Sequence, residues 1–299
     1  MNRRALLLVN RHSRRGQKSL PEAIERLRHL NFELVEASTE QPQHLPEVIR
    51  QQRDKVDLVI VGGGDGTLNA AAAGLVDTRL PLGILPFGTA NDLARTLGIP
   101  NEIAAACEII AAGHTLPIDL GWVNGKYFFN VASLGISTRI TERLTKEVKR
   151  RWGVLAYAAT AVQVLWQTRP FYAEIRSQGK LKRVRTVQIA VGNGRFYGGG
   201  MAIAYDATIN DQQLDLYSLE LRHWWQILPI LPAMSRGRQA TWPSVFSLEA
   251  QEIEVLTRRP HTINTDGELT TQTPARFRVI PQAVSVMVPA KEDAPGLST

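Results

Sequence analysis

Residues 59–75 read VIVGGGDGTLNAAAAGL, a β-branched apolar run that breaks at three glycines and resumes as an alanine-rich segment. A buried strand that enters a glycine-rich turn and opens a helix brings unpaired N–H groups and the positive end of the helix dipole to one point. Such a point favours an anion. Glycine there lets the backbone turn sharply and approach a ligand with no Cβ in the way. The Lys-Ser/Thr pair of a P-loop is missing, and GGGDG lacks the G-x-G-x-x-G spacing of a dinucleotide fingerprint. A purely structural tight turn is the competing reading, but Asp65 is out of place against a bare phosphate and points to a metal or hydroxyl to orient. Residues 82–96, LGILPFGTANDLART, repeat the device: a strand, a Gly88-Thr89 turn, and a helix with Asn91 and Asp92 in its first turn. Two such turns at the carboxyl ends of two strands can hold opposite ends of one nucleotide phosphate chain.

Outward from these turns, strand and helix patterns alternate from residue 5 to about 120. ALLLVN (5–10), FELVEA (32–37), VDLVIV (56–61) and LPLGIL (80–85) read as strands. LPEAIERLRHL (20–30), HLPEVIRQQ (44–52), TLNAAAAGL (67–75), ANDLARTLG (90–98) and NEIAAACEIIAAG (101–113) read as helices. The order predicts an α/β domain with a mostly parallel sheet and helices on both faces. Near residue 120 the pattern changes. IDLGWVNGKYFFNVA (118–132) is two apolar runs joined by Asn124-Gly125, a strong hairpin signal. After helical segments over about 136–167, short alternating runs at 171–177, 182–192, 214–220, 246–256, 276–280 and 284–288 predict a mainly antiparallel second domain. The expected organisation is therefore 1–120, 121–290 and a flexible tail at 291–299.

The 299 residues carry a net charge of +7, which favours polyanionic partners: nucleic acid, anionic lipid surface or phosphorylated substrate. A single cysteine, Cys107, fits a reducing compartment. The apolar run at the start is too short for a signal peptide or a span, and a cytoplasmic location is expected. The charge-free run 152–168 is a turn short of a span and reads as a buried core helix.

GGGDGTLN followed by LPFGTANDLAR resembles the diacylglycerol kinase catalytic-domain family, specifically the bacterial soluble lipid kinases of the YegS type. GNGRFYGGGMAIAYDATINDQQLDL (192–216) resembles the middle signature of that family, and NTDGEL (264–269) its catalytic tail motif. Four motifs in the right order span nearly the whole chain. The resemblance implies a nucleotide-binding α/β domain followed by a β-sandwich, with ATP and Mg²⁺ serving phosphoryl transfer to a lipid hydroxyl. Residue by residue, Gly63, Gly64, Asp65, Gly66, Thr67, Leu68 and Asn69 would form the ATP phosphate loop. Thr89, and Thr39 in ASTEQ (37–41), would complete the nucleotide site, with Asp92 near the phosphates or substrate. A structural Mg²⁺ would be held by the Asp211 carboxylate and the main-chain carbonyls of Thr208 and Gln213. Glu268 would accept the proton of the attacking hydroxyl, with Asp266 as the competing assignment.

The chemistry is consistent with those roles: phosphoryl transfer is mainly positioning and charge neutralisation, so amides, a metal and a carboxylate suffice. Taken without the resemblance, TDGEL reads first as a hairpin turn. Two departures from the family stand out. NRHSRRG (10–16) lacks the usual proline, and its Arg14 and Arg15 either add phosphate contacts or stay exposed. Asp211-Gln212 replaces Asp-Gly in the metal loop. On the acceptor side, KEVKRRWGVLAY (146–157) and LRHWWQILPILPAMSRGR (221–238) join basic residues to tryptophans and aliphatics. They fit either a peripheral contact with the inner membrane face or helices packed on the sandwich. The expected partner is a lipid with a free hydroxyl; no nucleic acid is expected, and the oligomeric state is left open. The alternatives are an NAD kinase-like phosphotransferase and a non-catalytic nucleotide- or lipid-binding regulator.

Overall fold

The computed structural model of the protein describes residues 3–9, 14–37, 41–143, 163–164, 166–221, 223–227 and 229–290. The chain divides into two compact units, residues 1–120 with 281–299, and residues 121–280.

In the first unit, β1 (Arg3–Val9), β2 (Phe32–Ala37), β3 (Leu58–Gly63) and β4 (Leu82–Pro86) lie in the order β2-β1-β3-β4, and all pair in parallel. Every residue of β3 and β4 is buried, as continuous apolar runs in a parallel sheet require. The connecting helices are α1 (Arg14–His29), α2 (Leu45–Gln51), α3 (Asp65–Thr78), α4 (Asp92–Thr96) and α5 (Ile103–Ala112). α1 begins six residues before the predicted start, which puts Pro21 inside the helix, where it removes a backbone bond. α5 ends as predicted at Gly113, which is left-handed at φ 73°, but its N-cap is Glu102 rather than Asn101, with no side-chain cap. Cys107 is buried on α5, and burial pushes its thiol up to about 11.

β5 (Thr115–Val123) leads out of the first unit. Residues 281–290, which the sequence pattern assigns to the second domain, group instead with the first. The reason is β18 (Ala275–Met287), a single strand over the two predicted runs, whose end pairs in parallel with β4 at Val286–Leu82. Val284, Val286, Met287 and Val288 are buried there, and the Gln282 amide donates to the Asp119 carboxylate at 2.7 Å.

In the second unit, Asn124 and Gly125 adopt positive φ (45° and 87°) and turn β5 into β6 (Lys126–Phe128), as the Asn-Gly pair predicts. β7 (Val131–Gly135), β10 (Gln188–Gly192), β13 (Leu214–Leu219), β14 (Val245–Ala250), β16 (Thr262–Thr265) and β17 (Glu268–Gln272) form one antiparallel sheet in the order β14-β13-β10-β7-β16-β17. β8 (Phe171–Ser177), β9 (Lys180–Thr186) and β15 (Glu252–Thr257) pair antiparallel beside the first half of β18. The run 182–192, predicted as one strand, breaks at Val187 into β9 and β10, which lie in different sheets. Alternation along β10 and β13 sorts the core: Ile189, Val191, Leu214 and Leu216 face the second sheet, with Ile175, Val255 and Phe277. Ala190, Tyr217 and Leu219 face a separate cluster with Ile203, Ile227, Ile230 and Met234. α6 (Ile136–Arg143) follows β7. The basic cluster at 146–151 and all but the last few residues of the run 152–168 lie outside the described residues.

Candidate functional site

β3 ends in Gly62 and Gly63, and α3 begins at Asp65 with Gly64 as its N-cap; no side chain caps that helix. The amides of Thr67 and Leu68 close its first turn onto the Gly64 carbonyl at 2.9 and 3.2 Å. Leu68 is buried in the core, so its expected contribution comes from the backbone. Gly62, Gly63, Gly64 and Gly88 all have ordinary negative-φ backbones, so a left-handed turn is not what requires them. Room is. A Cβ on Gly62 would lie 2.7 Å from the Phe87 ring, and one on Gly63 would lie 2.5 Å from the Thr67 side chain. A Cβ on Gly88 would lie 2.5 Å from the Gly64 Cα and 2.6 Å from Asn91 Oδ1. The two glycine turns are thus packed backbone on backbone.

Asp65 ties them together. One carboxylate oxygen accepts the Leu93 amide at 3.1 Å, so the side chain of the first turn satisfies an N–H at the start of the helix after the second. Asn91, left-handed at φ 50°, is the N-cap of α4. Its amide donates to the carbonyls of Pro86 (3.3 Å) and Gly88 (3.1 Å) and to Asn101 Oδ1 (2.8 Å). Asp92 is only 4 % exposed and pairs with Arg95 at 3.4 Å. Thr89 is exposed at the tip of the second turn, and Gly66, Thr67 and Asn69 are half-buried along the first. Thr39 lies outside the described residues. Asn91 and Arg95, which the motifs alone do not single out, also hold the second turn; their signal is the spacing in NDLAR, where Asp92 and Arg95 at i and i+3 share a helix face.

In the second unit, Asp266 and Gly267 turn β16 into β17 with φ of 48° and 95°. The Asp266 carboxylate accepts three consecutive backbone amides, those of Phe129 (2.7 Å), Asn130 (3.0 Å) and Val131 (3.0 Å). Its own amide donates to the Val131 carbonyl. Asn264 Oδ1 takes the Gly267 amide at 2.8 Å, closing the turn. Glu268, two residues on, is exposed at the first position of β17. The hairpin reading of TDGEL and a chemical role for its second carboxylate are therefore compatible: one carboxylate builds the turn, and the other projects from it.

The metal loop is also ordered by its aspartate. Asp211 accepts the Thr208 hydroxyl at 3.1 Å and the Gln213 amide at 2.9 Å. Gln212, where the family has glycine, adopts φ 61°, so the loop keeps a glycine-like path at some backbone strain. Asp215 is pushed up to about 7, first by burial and then by the nearby charges of Asp211, Glu249 and Asp206. Among the described residues no three His, Cys, Asp or Glu side chains form a metal cluster. The expected set needs only one carboxylate and two carbonyls, and the excess negative charge around Asp215 suits a hard divalent cation with oxygen ligands. The residues fit the ion.

In the segment 221–238, Ile227, Ile230 and Met234 are buried against the second-unit sheet, while Trp225 is 54 % exposed and stacks on His223 at 5.4 Å. Among the described residues no helix is long and apolar enough to cross a membrane.

The α/β unit thus carries paired glycine turns, and the second unit a hairpin with an exposed carboxylate. Residues 4–123 match the diacylglycerol kinase catalytic domain, and residues 130–288 match the YegS C-terminal NAD kinase beta sandwich-like domain. The chain is 33 % identical over 239 residues to a diacylglycerol kinase of Bacillus subtilis, covering 79 % of each chain. It is 29 % identical over 294 residues to a diacylglycerol kinase of Staphylococcus aureus, covering 97 % of this chain and 93 % of that one. The fold matches a crystal structure of a diacylglycerol kinase from Bacillus anthracis with a TM-score of 0.74 at 23 % identity, over 96 % of this chain and 97 % of the other. The chain belongs to the diacylglycerol kinase family.

Proposed function

We propose that this kinase transfers the γ-phosphoryl group of ATP to the hydroxyl of a lipid, diacylglycerol or a relative with a free hydroxyl beside apolar chains. The observation that carries the reading is the locked pair of glycine turns, in which Asp65 binds the start of α4 and leaves the N-terminus of α3 without a side-chain cap. An uncapped helix N-terminus beside close-packed glycine backbone suits the phosphates of a nucleotide. Gly63 to Asn69 and Thr89 are the residues assigned to them, and Asp92 with Arg95 holds the second turn in place.

Glu268 is the proton acceptor. As the lipid oxygen bonds to the γ-phosphorus and the bond to the ADP oxygen breaks, the hydroxyl proton passes to the Glu268 carboxylate. Asp266 is unsuited to that task, because both of its carboxylate oxygens are already engaged by three backbone amides that build the turn. Mg²⁺, when bound with the nucleotide, would neutralise phosphate charge. A second, structural ion would be held by Asp211 with the carbonyls of Thr208 and Gln213. The exposed Trp225 supports a peripheral membrane contact, since tryptophan is favoured at headgroup depth.

The test is transfer of labelled γ-phosphate from ATP with Mg²⁺ to a panel of lipids in mixed micelles, with NAD as an aqueous acceptor. Label in an organic-phase product supports the proposal and identifies the acceptor. Label in NADP would replace it, and no transfer to any acceptor would reject it.

A further inference from the structure

A concave site in the second unit carries charge that the phosphoryl-transfer reading does not use. It is a cavity of about 360 Å³ whose wall brings together Arg139, Arg169, Arg259, Glu142, Phe171 and His261, and that size falls within the range of small-ligand sites, roughly 300–1,000 Å³. Arg139 and Glu142 come from α6, Phe171 opens β8, and Arg259 and His261 lie just before β16. Three elements distant in sequence therefore converge on one positive wall.

The contrast with other concave surfaces is informative. The depression around Arg176, Glu252, Glu254 and Arg276 neutralises itself through ion pairs from Arg176 to Glu254 and from Arg276 to Glu252. The one around Arg28, Glu25 and Glu36 leaves no excess positive charge, with Arg28 paired to Glu36 and His29 beside Glu25. Among the described residues no ion pair includes Arg139, Arg169 or Arg259. Glu142 opposes only one of the three charges, so a net charge of about +2 remains. The His261 ring, stacked on Phe171 at 4.1 Å, adds no positive charge: burial first, and then Arg139, hold its basicity down. Clustering like charges without a partner costs Coulomb energy unless an anion offsets it.

The donor inventory narrows the ligand. The Thr138 and Thr168 hydroxyls on the same wall donate to the Gly135 and Val164 carbonyls, at 2.8 and 2.6 Å, so they are not available as donors. Charged recognition falls to the guanidinium groups, whose planar forks match phosphate oxygens, with the Thr262 hydroxyl as a further polar group on the wall. Phe171 and Val187 supply an apolar side to the cavity. We propose that this cavity is a second anion site, separate from the nucleotide turns, that binds a phosphate group carrying two negative charges. Its sources are free phosphate or the phosphomonoester headgroup of a lipid.

Isothermal titration calorimetry with inorganic phosphate at constant ionic strength, together with sedimentation on phosphatidylcholine vesicles with and without a lipid phosphomonoester, tests the proposal. The Arg139→Gln/Arg259→Gln variant should lose phosphate affinity about tenfold or more, or lose selective retention on phosphomonoester vesicles, while Lys180→Gln on the exposed β9 behaves as wild type. Phosphate binding without vesicle retention assigns the free anion; retention that phosphate reverses assigns the lipid. Equal affinity and retention in wild type and the double variant, or no binding of wild type to either probe, overturns the site. These arginines lie outside the groups assigned to transfer, so the double variant should keep wild-type phosphoryl transfer in detergent micelles, and the two readings fail independently.

Discussion

Asp266 and Glu268 sit two residues apart on one hairpin and meet opposite environments. Asp266 terminates three backbone amides, and replacing it with alanine leaves those donors without an acceptor, at a cost on the order of 3 kcal/mol. Glu268 is exposed and its replacement should cost almost no stability. Glu268→Gln is thus expected to abolish transfer at an unchanged urea midpoint, whereas Asp266→Ala should lower the midpoint as well as the rate. Wild-type turnover by Glu268→Gln would remove the assigned base, and an unshifted midpoint in Asp266→Ala would contradict its role in the turn. Gly88 makes a comparable case in the first unit. Its added Cβ would press within 2.5 Å of the Gly64 backbone, which cannot rotate away as a side chain could. Gly88→Ala should therefore distort both turns at once and weaken nucleotide binding about tenfold or more, the equivalent of roughly 1.4 kcal/mol; fluorescence titration with a nucleotide analogue reads the change, and unaltered affinity would mean the turns are not the phosphate cradle.

Among the elements, those whose pattern is local were legible from the sequence. FELVEA predicts β2 to the residue, and Asn124-Gly125 predicts its hairpin, because both depend on side-chain alternation or turn conformation within a few residues. The split of 182–192 was not legible, since strand propensity runs through it and only the change of sheet at Val187 divides it. At the candidate site, the sequence marked the glycines but not their reason. A need for space between two turns 24 residues apart in sequence looks the same as a need for a sharp bend. The loop at 208–213 belongs to this scale too. Its one carboxylate, Asp211, adds to the burial and acidic neighbours that raise Asp215 to about 7, and a cation bound beside Asp211 would offset that repulsion. Mg²⁺ should raise the melting temperature of the wild type in a concentration-dependent way, as any ligand specific to the native state does. EDTA should reverse the rise, and Asp211→Ala should abolish it. A melting temperature indifferent to Mg²⁺ would count against the metal loop.

At the scale of the whole molecule, the first unit is completed by residues that sequence order assigns elsewhere. The chain leaves near residue 120, forms the second unit, and returns at 281 so that the end of β18 lies beside β4. Periodicity shows that 284–288 is a strand but carries no information on its neighbour, so no reading of the sequence alone could have placed it. Its side chains matter in quantity. Val284, Val286, Met287 and Val288 are all buried, and at ~1.5–3 kcal/mol each their removal forfeits roughly 6–12 kcal/mol. That is comparable to the total stability of a typical domain, about 5–15 kcal/mol. Deletion would also leave β4 without a neighbour on that edge and remove the Gln282 amide that donates to Asp119. A chain ending at Ile280 should therefore fail to hold the first unit folded: residues 1–120 become susceptible to limited proteolysis and nucleotide binding is lost, while a chain ending at Ala290 behaves as full length. Nucleotide affinity in the 1–280 chain equal to that of the full-length protein would show that β4 closes the sheet unaided, and the returning strand would then be an ornament of the first unit rather than part of its core.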